Sequence, residues 1–236
     1  KNGIDAMTIH LLSGGAAQGL VGQLQTAFAH DTGHDVQGRF GAVGLQKDAL
    51  LAGTPCDVLI LTRALIAQLE ADGHVVAGSA RDLGAVATGV AVKTGEPHPA
   101  VDTPDALKAA LMAARGIYFP DPVKATAGIH FMKVMQALGV DTGNAQALRP
   151  FPNGNAAMGA MAQCDEPGLI GCTQVTEILF IQGVDLVGLL PPQFALNTVY
   201  TAAVCTRAQQ PQAAAELVRQ LAAPEAADLR VACGFA

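Results

Sequence analysis

The sequence predicts an open α/β fold, a mainly parallel sheet with helices on both faces. Three observations predict it. Short apolar runs alternate with segments of helical periodicity along the whole chain. The connections are short and rich in Gly, Ser, Thr and Pro. DVLIL (57–61) reads as a buried strand and GIYF (116–119) as another strand of the same alternating series.

The elements follow in order. TIHLL (8–12) is a strand ending at Ser13-Gly14-Gly15, and Leu20, Val21, Leu24 and Phe28 mark a helix from Ala16 that should stop near Asp31-Thr32-Gly33. VQGRFGA (36–42) is a strand, 44–52 a helix, DVLIL a buried strand and 63–72 a helix closed by Gly73. Further strands are expected at 86–92, 116–119, 168–172 and 184–189, with helices at 104–114, 127–138 and 156–162. After Pro191-Pro192 comes the longest strand-like stretch, FALNTVYTAAV (194–204), then helices at 211–221 and 224–231. PHPAVDTP (97–104) reads as the connection between two lobes.

The chain has 236 residues, enough for one large domain or two lobes of about 100 residues each. Half of it is hydrophobic and 14% is charged, which supports a packed core rather than disorder. The net charge is -6 and the 14 basic residues are scattered, so no nucleic-acid footprint exists. No apolar run approaches the roughly 18 residues of a membrane helix, so no membrane insertion is expected. The five cysteines show no CxxC spacing and no Cys/His cluster, so neither a metal nor another cofactor is expected. A Cys164–Cys172 bridge is left open. No nucleophile-elbow pattern points to acyl transfer.

Several strand-to-helix junctions share small residues followed at once by a helix: Ser13-Gly14-Gly15, Gly41-Ala42-Val43-Gly44, the segment 121–128 with Lys124, Thr126 and Ala127, Asn153-Gly154-Asn155, and Thr173-Gln174. In an open α/β sheet such junctions lie at the carboxyl ends of strands, where free N–H groups and helix dipoles can hold an anion without a positive net charge. Turn geometry alone is the plain alternative for any one of them.

LLSGGAAQGL (11–20), TGHDVQGRFGAVG (32–44), GTPCDVLIL (53–61), GHVVAGSARDLG (73–84), YFPDPVKATAGIHFMKVMQALG (118–139) and PEAADLRVACGFA (224–236) together resemble the molybdate-binding protein family of type 2 periplasmic solute-binding proteins, across nearly the whole chain. The resemblance implies two α/β lobes joined by two crossing strands, lobe I from 1–97 plus 200–236 and lobe II from 98–199, closing by a hinge motion over a ligand between them. It also implies a periplasmic, monomeric protein that serves a membrane permease. This chain departs from the family's hydroxyl-lined site. Gly15 stands at a hydroxyl position, Ala42 and Val43 replace a Ser pair, and Gln174 replaces a Tyr, while Ser13 remains nearby. Molybdate is therefore not the expected ligand.

Larger polar groups stand at the same junctions: Arg63, Lys124, Thr126, His130, Gln174 and Glu177. An Arg fork suits a carboxylate, and further carboxylates suit separate helix N-termini, so an organic di- or tricarboxylate is expected. Each residue has a plain reading too: Arg63 and Lys124 as surface cations, His130 as a helix residue, Glu177 as a solvated first-turn residue and Cys172 as core. Two functions follow. One is a binding protein for ABC-type uptake. The other is an isomerase on the same scaffold, since the family is similar to aconitate isomerase, which interconverts trans- and cis-aconitate. That reaction moves an allylic proton, and His130, Glu177 and Lys124 are the candidate proton carriers.

Overall fold

The structure is a computed structural model and describes residues 8–236; Lys1–Met7, assigned above to lobe I, lies outside the described residues. The elements begin with β1 (Thr8–Gly14), α1 (Gln18–Thr32), β2 (Asp35–Gly41), α2 (Val43–Leu51), β3 (Val58–Thr62), α3 (Arg63–Ala71) and β4 (Arg81–Lys93). They continue with α4 (Pro104–Ala113), β5 (Gly116–Pro120), α5 (Thr126–Leu138), α6 (Val140–Gly143), β6 (Leu148–Phe151), α7 (Gly154–Gln163) and β7 (Leu169–Gln174). The chain ends with α8 (Val175–Phe180), β8 (Val184–Leu189), β9 (Asn197–Val204), α9 (Pro211–Ala222) and α10 (Ala227–Ala232).

Most elements fall where periodicity puts them. Gly33 and Gly139, both with positive φ, close α1 and α5 in the left-handed conformation that glycine adopts without steric cost. Three differences stand out. β9 starts at Asn197 because Pro192–Phe194 forms a 3-10 turn, the last helix is split by a second such turn at Pro224–Ala226, and β6 and α6 are additional elements.

The chain divides into two compact units, one running to Ala85 and resuming at Val199–Ala236, the other Val86–Thr198. Residues 86–97, placed with lobe I above, pack in the second unit because β4 pairs antiparallel with both β7 and β8 from Thr88 onward. The Pro-rich 97–104 stretch is thus internal to that unit.

In the first unit β1 lies parallel to β2 and β3, and β3 pairs antiparallel with β9. Asp57 ties the pieces together. Its buried carboxylate accepts the backbone N–H groups of His10 (2.8 Å), Gln209 (2.6 Å) and Gln210 (2.9 Å), so it anchors the segment that leads into α9 from a distant part of the chain.

In the second unit β7, β5 and β6 run parallel. Ile117 and Phe119 of β5 pack with Leu107, Leu111, Phe131 and Met135 from α4 and α5, whereas Tyr118 between them packs with Met158 and Met161 of α7 and Ile178 of α8. Period-2 alternation thus feeds two cores on opposite faces, which explains the continuous apolar run. Cys172 belongs to the first of these cores, and Cys164 packs against the second. They lie on different faces, and both are free thiols. Among the described residues, no helix is long and apolar enough to cross a membrane.

Candidate functional site

Each unit ends its parallel strands in helix starts, and the two carboxyl edges have different chemistry. In the first unit β1, β2 and β3 finish at Gly14, Gly41 and Thr62. Ser13 is fully buried, and its hydroxyl donates to Gly14 O (2.8 Å). A Cβ on Gly14 would stand 3.0 Å from both Tyr200 Cε1 and Val43 Cγ1. Gly15, Ala42 and Val43 are buried and Gly44 is half-buried, so this edge offers mostly backbone, with buried Gln46 against Gly41 and its Oε1 unpartnered.

Arg63 opens α3 with its guanidinium exposed, and its fork is occupied: Nε donates to Asp82 Oδ1 (3.2 Å) and Nη2 to Asp82 Oδ2. Thr201 Oγ1 donates to the same carboxylate (2.6 Å). The hydrogen bonds from Arg63 hold Asp82 below the usual carboxylate range.

In the second unit β5, β6 and β7 finish at Pro120, Phe151 and Gln174. After β5, Asp121 Oδ1 accepts the backbone N–H of Val123 (2.7 Å) and Lys124 (2.9 Å), a side-chain turn that delivers Thr126 to the start of α5. Ala127 is buried and Thr126 half-buried. His130, one turn on, has its Nε2 2.7 Å from the Phe194 carbonyl. After β6, Asn153 caps α7 by accepting from Ala156 N (2.9 Å).

After β7 comes a buried polar cluster. Glu177 is 7% exposed, and Thr173 Oγ1 donates to its Oε2. The solvated reading of Glu177 is corrected here: α8 turns the residue inward. Burial pushes its pKa up to about 7, against the opposing hydrogen bonds from Thr173 and the Gln174 backbone. Gly154 faces this pair so closely that a Cβ there would overlap Glu177 Oε2 and Thr173 Oγ1. Gln174 is 2% exposed, and neither its Oε1 nor its Nε2 has a hydrogen-bond partner. The hydroxyls of Thr88, opposite Gln174 in the β4–β7 register, and of Thr176 are equally unpartnered.

An unpaired buried polar group costs about 1–3 kcal/mol. Four such atoms close together in sequence and register are costly unless a guest or ordered water completes them.

The second unit therefore gathers Thr173, Gln174 and Glu177 with the Gly154 start of α7, whose cap is Asn153. Ser13, Gly14, Gly15, Ala42, Val43, Gly44 and Arg63 belong to the first unit. Sequence reasoning missed Thr88, Thr176 and the role of Gly154. Only Thr88 left a signal, a hydroxyl inside the otherwise apolar stretch LGAVATGVAV (83–92). Among the described residues no three His, Cys, Asp or Glu side chains form a metal-binding group.

Residues 9–236 match the sequence profile described as bacterial extracellular solute-binding protein. An aconitate isomerase from Pseudomonas sp. is 28% identical over 228 residues, covering 93% of this chain and 84% of that one. The periplasmic molybdate-binding protein of Azotobacter vinelandii superposes with a TM-score of 0.78 at 19% identity, over 97% of this chain and 98% of that one. The sulfate-binding protein of Mycobacterium tuberculosis H37Rv gives 0.73 at 18% identity, over 97% and 86%. These two likenesses identify the fold.

Proposed function

Because the chain belongs to the bacterial extracellular solute-binding protein family, we propose that it works in the periplasm, capturing a small organic anion, a di- or tricarboxylate, and passing it to an ABC-type membrane permease. In this reading each unit supplies ligand-binding groups from its own carboxyl edge. The first contributes Ser13, Gly14, Gly15, Ala42, Val43 and Gly44, with Arg63 joining only if it gives up Asp82. The second contributes Thr126, Ala127, Asn153, Thr173 and Gln174. The observation that carries the proposal is Gln174, a buried amide with both ends unpaired. Beside it Glu177 can be ionised near neutrality. That disfavours a compact, doubly charged oxyanion at the same spot and suits an extended anion whose charges lie apart from the carboxyl.

A thermal-shift panel of molybdate, tungstate, sulfate, succinate, citrate and trans-aconitate tests this. A polycarboxylate at 100 times its dissociation constant should add about 2.7 kcal/mol of stability. A shift with molybdate or tungstate alone would overturn the ligand class.

A second reading, an isomerase interconverting trans- and cis-aconitate, is favoured by the 28% identical relative and by Glu177 itself. A carboxyl balanced near neutral pH can take a proton from a methylene carbon and return it elsewhere. Of the other candidate carriers, His130 has Nε2 on Phe194 O and Lys124 stands in the Asp121 turn, and Glu177 is the one whose pKa lies near neutrality. Proton NMR of trans-aconitate incubated with the protein separates the readings. Turnover that disappears in Glu177→Gln identifies the isomerase, and an unchanged spectrum at high protein concentration removes it.

A further inference from the structure

The first unit contains two thiols that the proposed ligand site does not use. Cys56, just before β3, and Cys205, just after β9, are separated by 149 residues, and their sulfurs stand 3.4 Å apart. Both are buried. Cys205 N donates to Asp57 O (2.9 Å), so the strand pairing holds the two ends in fixed register. Sγ of Cys205 donates to Sγ of Cys56, which in turn donates to Val58 O (3.1 Å). A cavity of about 250 Å³ is lined by both cysteines together with His74, Thr206, Arg207 and Gln209.

We propose that Cys56 and Cys205 are a disulfide-forming pair, a covalent fastener between the two chain segments that build the first unit. It rests on the export assigned above only for its cellular setting, because an oxidising compartment is where such a pair would close. An incoming disulfide supplies the oxidant through the cavity. One protein sulfur, as thiolate, attacks it and expels one thiolate of the reagent. The second protein thiol then loses its proton, attacks the mixed disulfide and expels the other half as thiol. Two protein S–H bonds are lost, one S–S bond forms, and the reagent takes up the two electrons and two protons. The S–H given to Cys56, and burial after it, raise the Cys205 thiol above its ordinary range, which slows attack from that sulfur.

The test uses reduced full-length protein equilibrated with equal concentrations of reduced and oxidised glutathione, then quenched by alkylation in denaturant. The expected results are a mass loss of about 2 Da before alkylation, three of the five cysteines labelled, and a single cross-linked peptide joining Cys56 to Cys205. The melting temperature should rise by roughly 5–10 °C over the reduced form. Cys56→Ser and Cys205→Ser should each abolish the rise, whereas a Cys164→Ser/Cys172→Ser double variant should keep it. Five labelled cysteines, or a cross-link mapped to another pair, overturns the proposal. Peptide mapping of the wild-type chain decides it even if a serine variant fails to fold. Ligand binding is not read at any step, so failure of the solute-binding reading would leave this result untouched.

Discussion

The two carboxyl edges share a topology and differ in what their strands carry. In the first unit β1 and β2 end in Gly14 and Gly41, and the buried hydroxyls of Ser13 and Thr201 are used up on a neighbouring carbonyl and on Asp82. In the second unit β7 ends in Thr173 and Gln174, with Glu177 folded back beneath them and an amide left unpaired. Backbone donors hold any anion of the right size; side-chain donors and a titratable carboxyl choose among anions. In the proposed reading, grip falls to the first edge and discrimination to the second.

Four substitutions break or sharpen this contrast, taken from the largest effect down. Gly154→Ala drives a methyl into the Glu177–Thr173 pair in a fully packed site, and should cost roughly 3 kcal/mol in urea unfolding together with most ligand response. An alanine tolerated within 1 kcal/mol would mean that the second edge is looser than described. Glu177 makes stability depend on pH. Its folded value of about 7 lies above the ordinary 4.5, so the native protein holds the extra proton between these values. The contribution is complete below about pH 4.5 and is lost as pH rises through 7, about 3 kcal/mol in all. Unfolding curves across that window should fall for the wild type and flatten for Glu177→Gln; parallel curves would place the carboxyl in contact with solvent.

Gln174→Met replaces the unpaired amide by an apolar chain of similar length. It should raise the stability of the ligand-free protein by about 1 kcal/mol while weakening the ligand by about 100-fold, read by melting and titration calorimetry. A loss of both stability and affinity would mean that the amide has a structural partner. Gly14→Ala, at the first edge, meets only the movable side chains of Tyr200 and Val43 and should cost about 1 kcal/mol with little change in ligand preference. A changed rank order of ligands in this variant would shift discrimination back to the first edge.

Much of the scaffold was legible in the sequence. DVLIL read as a buried strand and GIYF as a strand, both of which the structure covers on both faces, and α1 stops where Gly33 allows a left-handed cap. β6 escaped because LRPF is four residues long, contains a proline and lies at the end of the strand order, where half-exposed side chains dilute the apolar signal. At the site, Gln174 and Glu177 stood out by residue type and position. Their burial did not, because it depends on packing across β4, α7 and α8. Thr88 reaches Gln174 only through antiparallel register between strands about 80 residues apart, and no local pattern encodes that. Asp82 beside Arg63 was hidden for the same reason, since the two are 19 residues apart and no local spacing links them.

The reach of Asp57 to Gln209 and Gln210 has a consequence for how the molecule is made. The second unit is one unbroken stretch, complete once Thr198 has been synthesised, whereas the first lacks β9 and α9 until its last segment arrives. During translation or export the inserted unit can therefore fold early, while β3 waits with an open edge. That vulnerable interval ends when the returning strand docks and the Asp57 carboxylate acquires its distant partners.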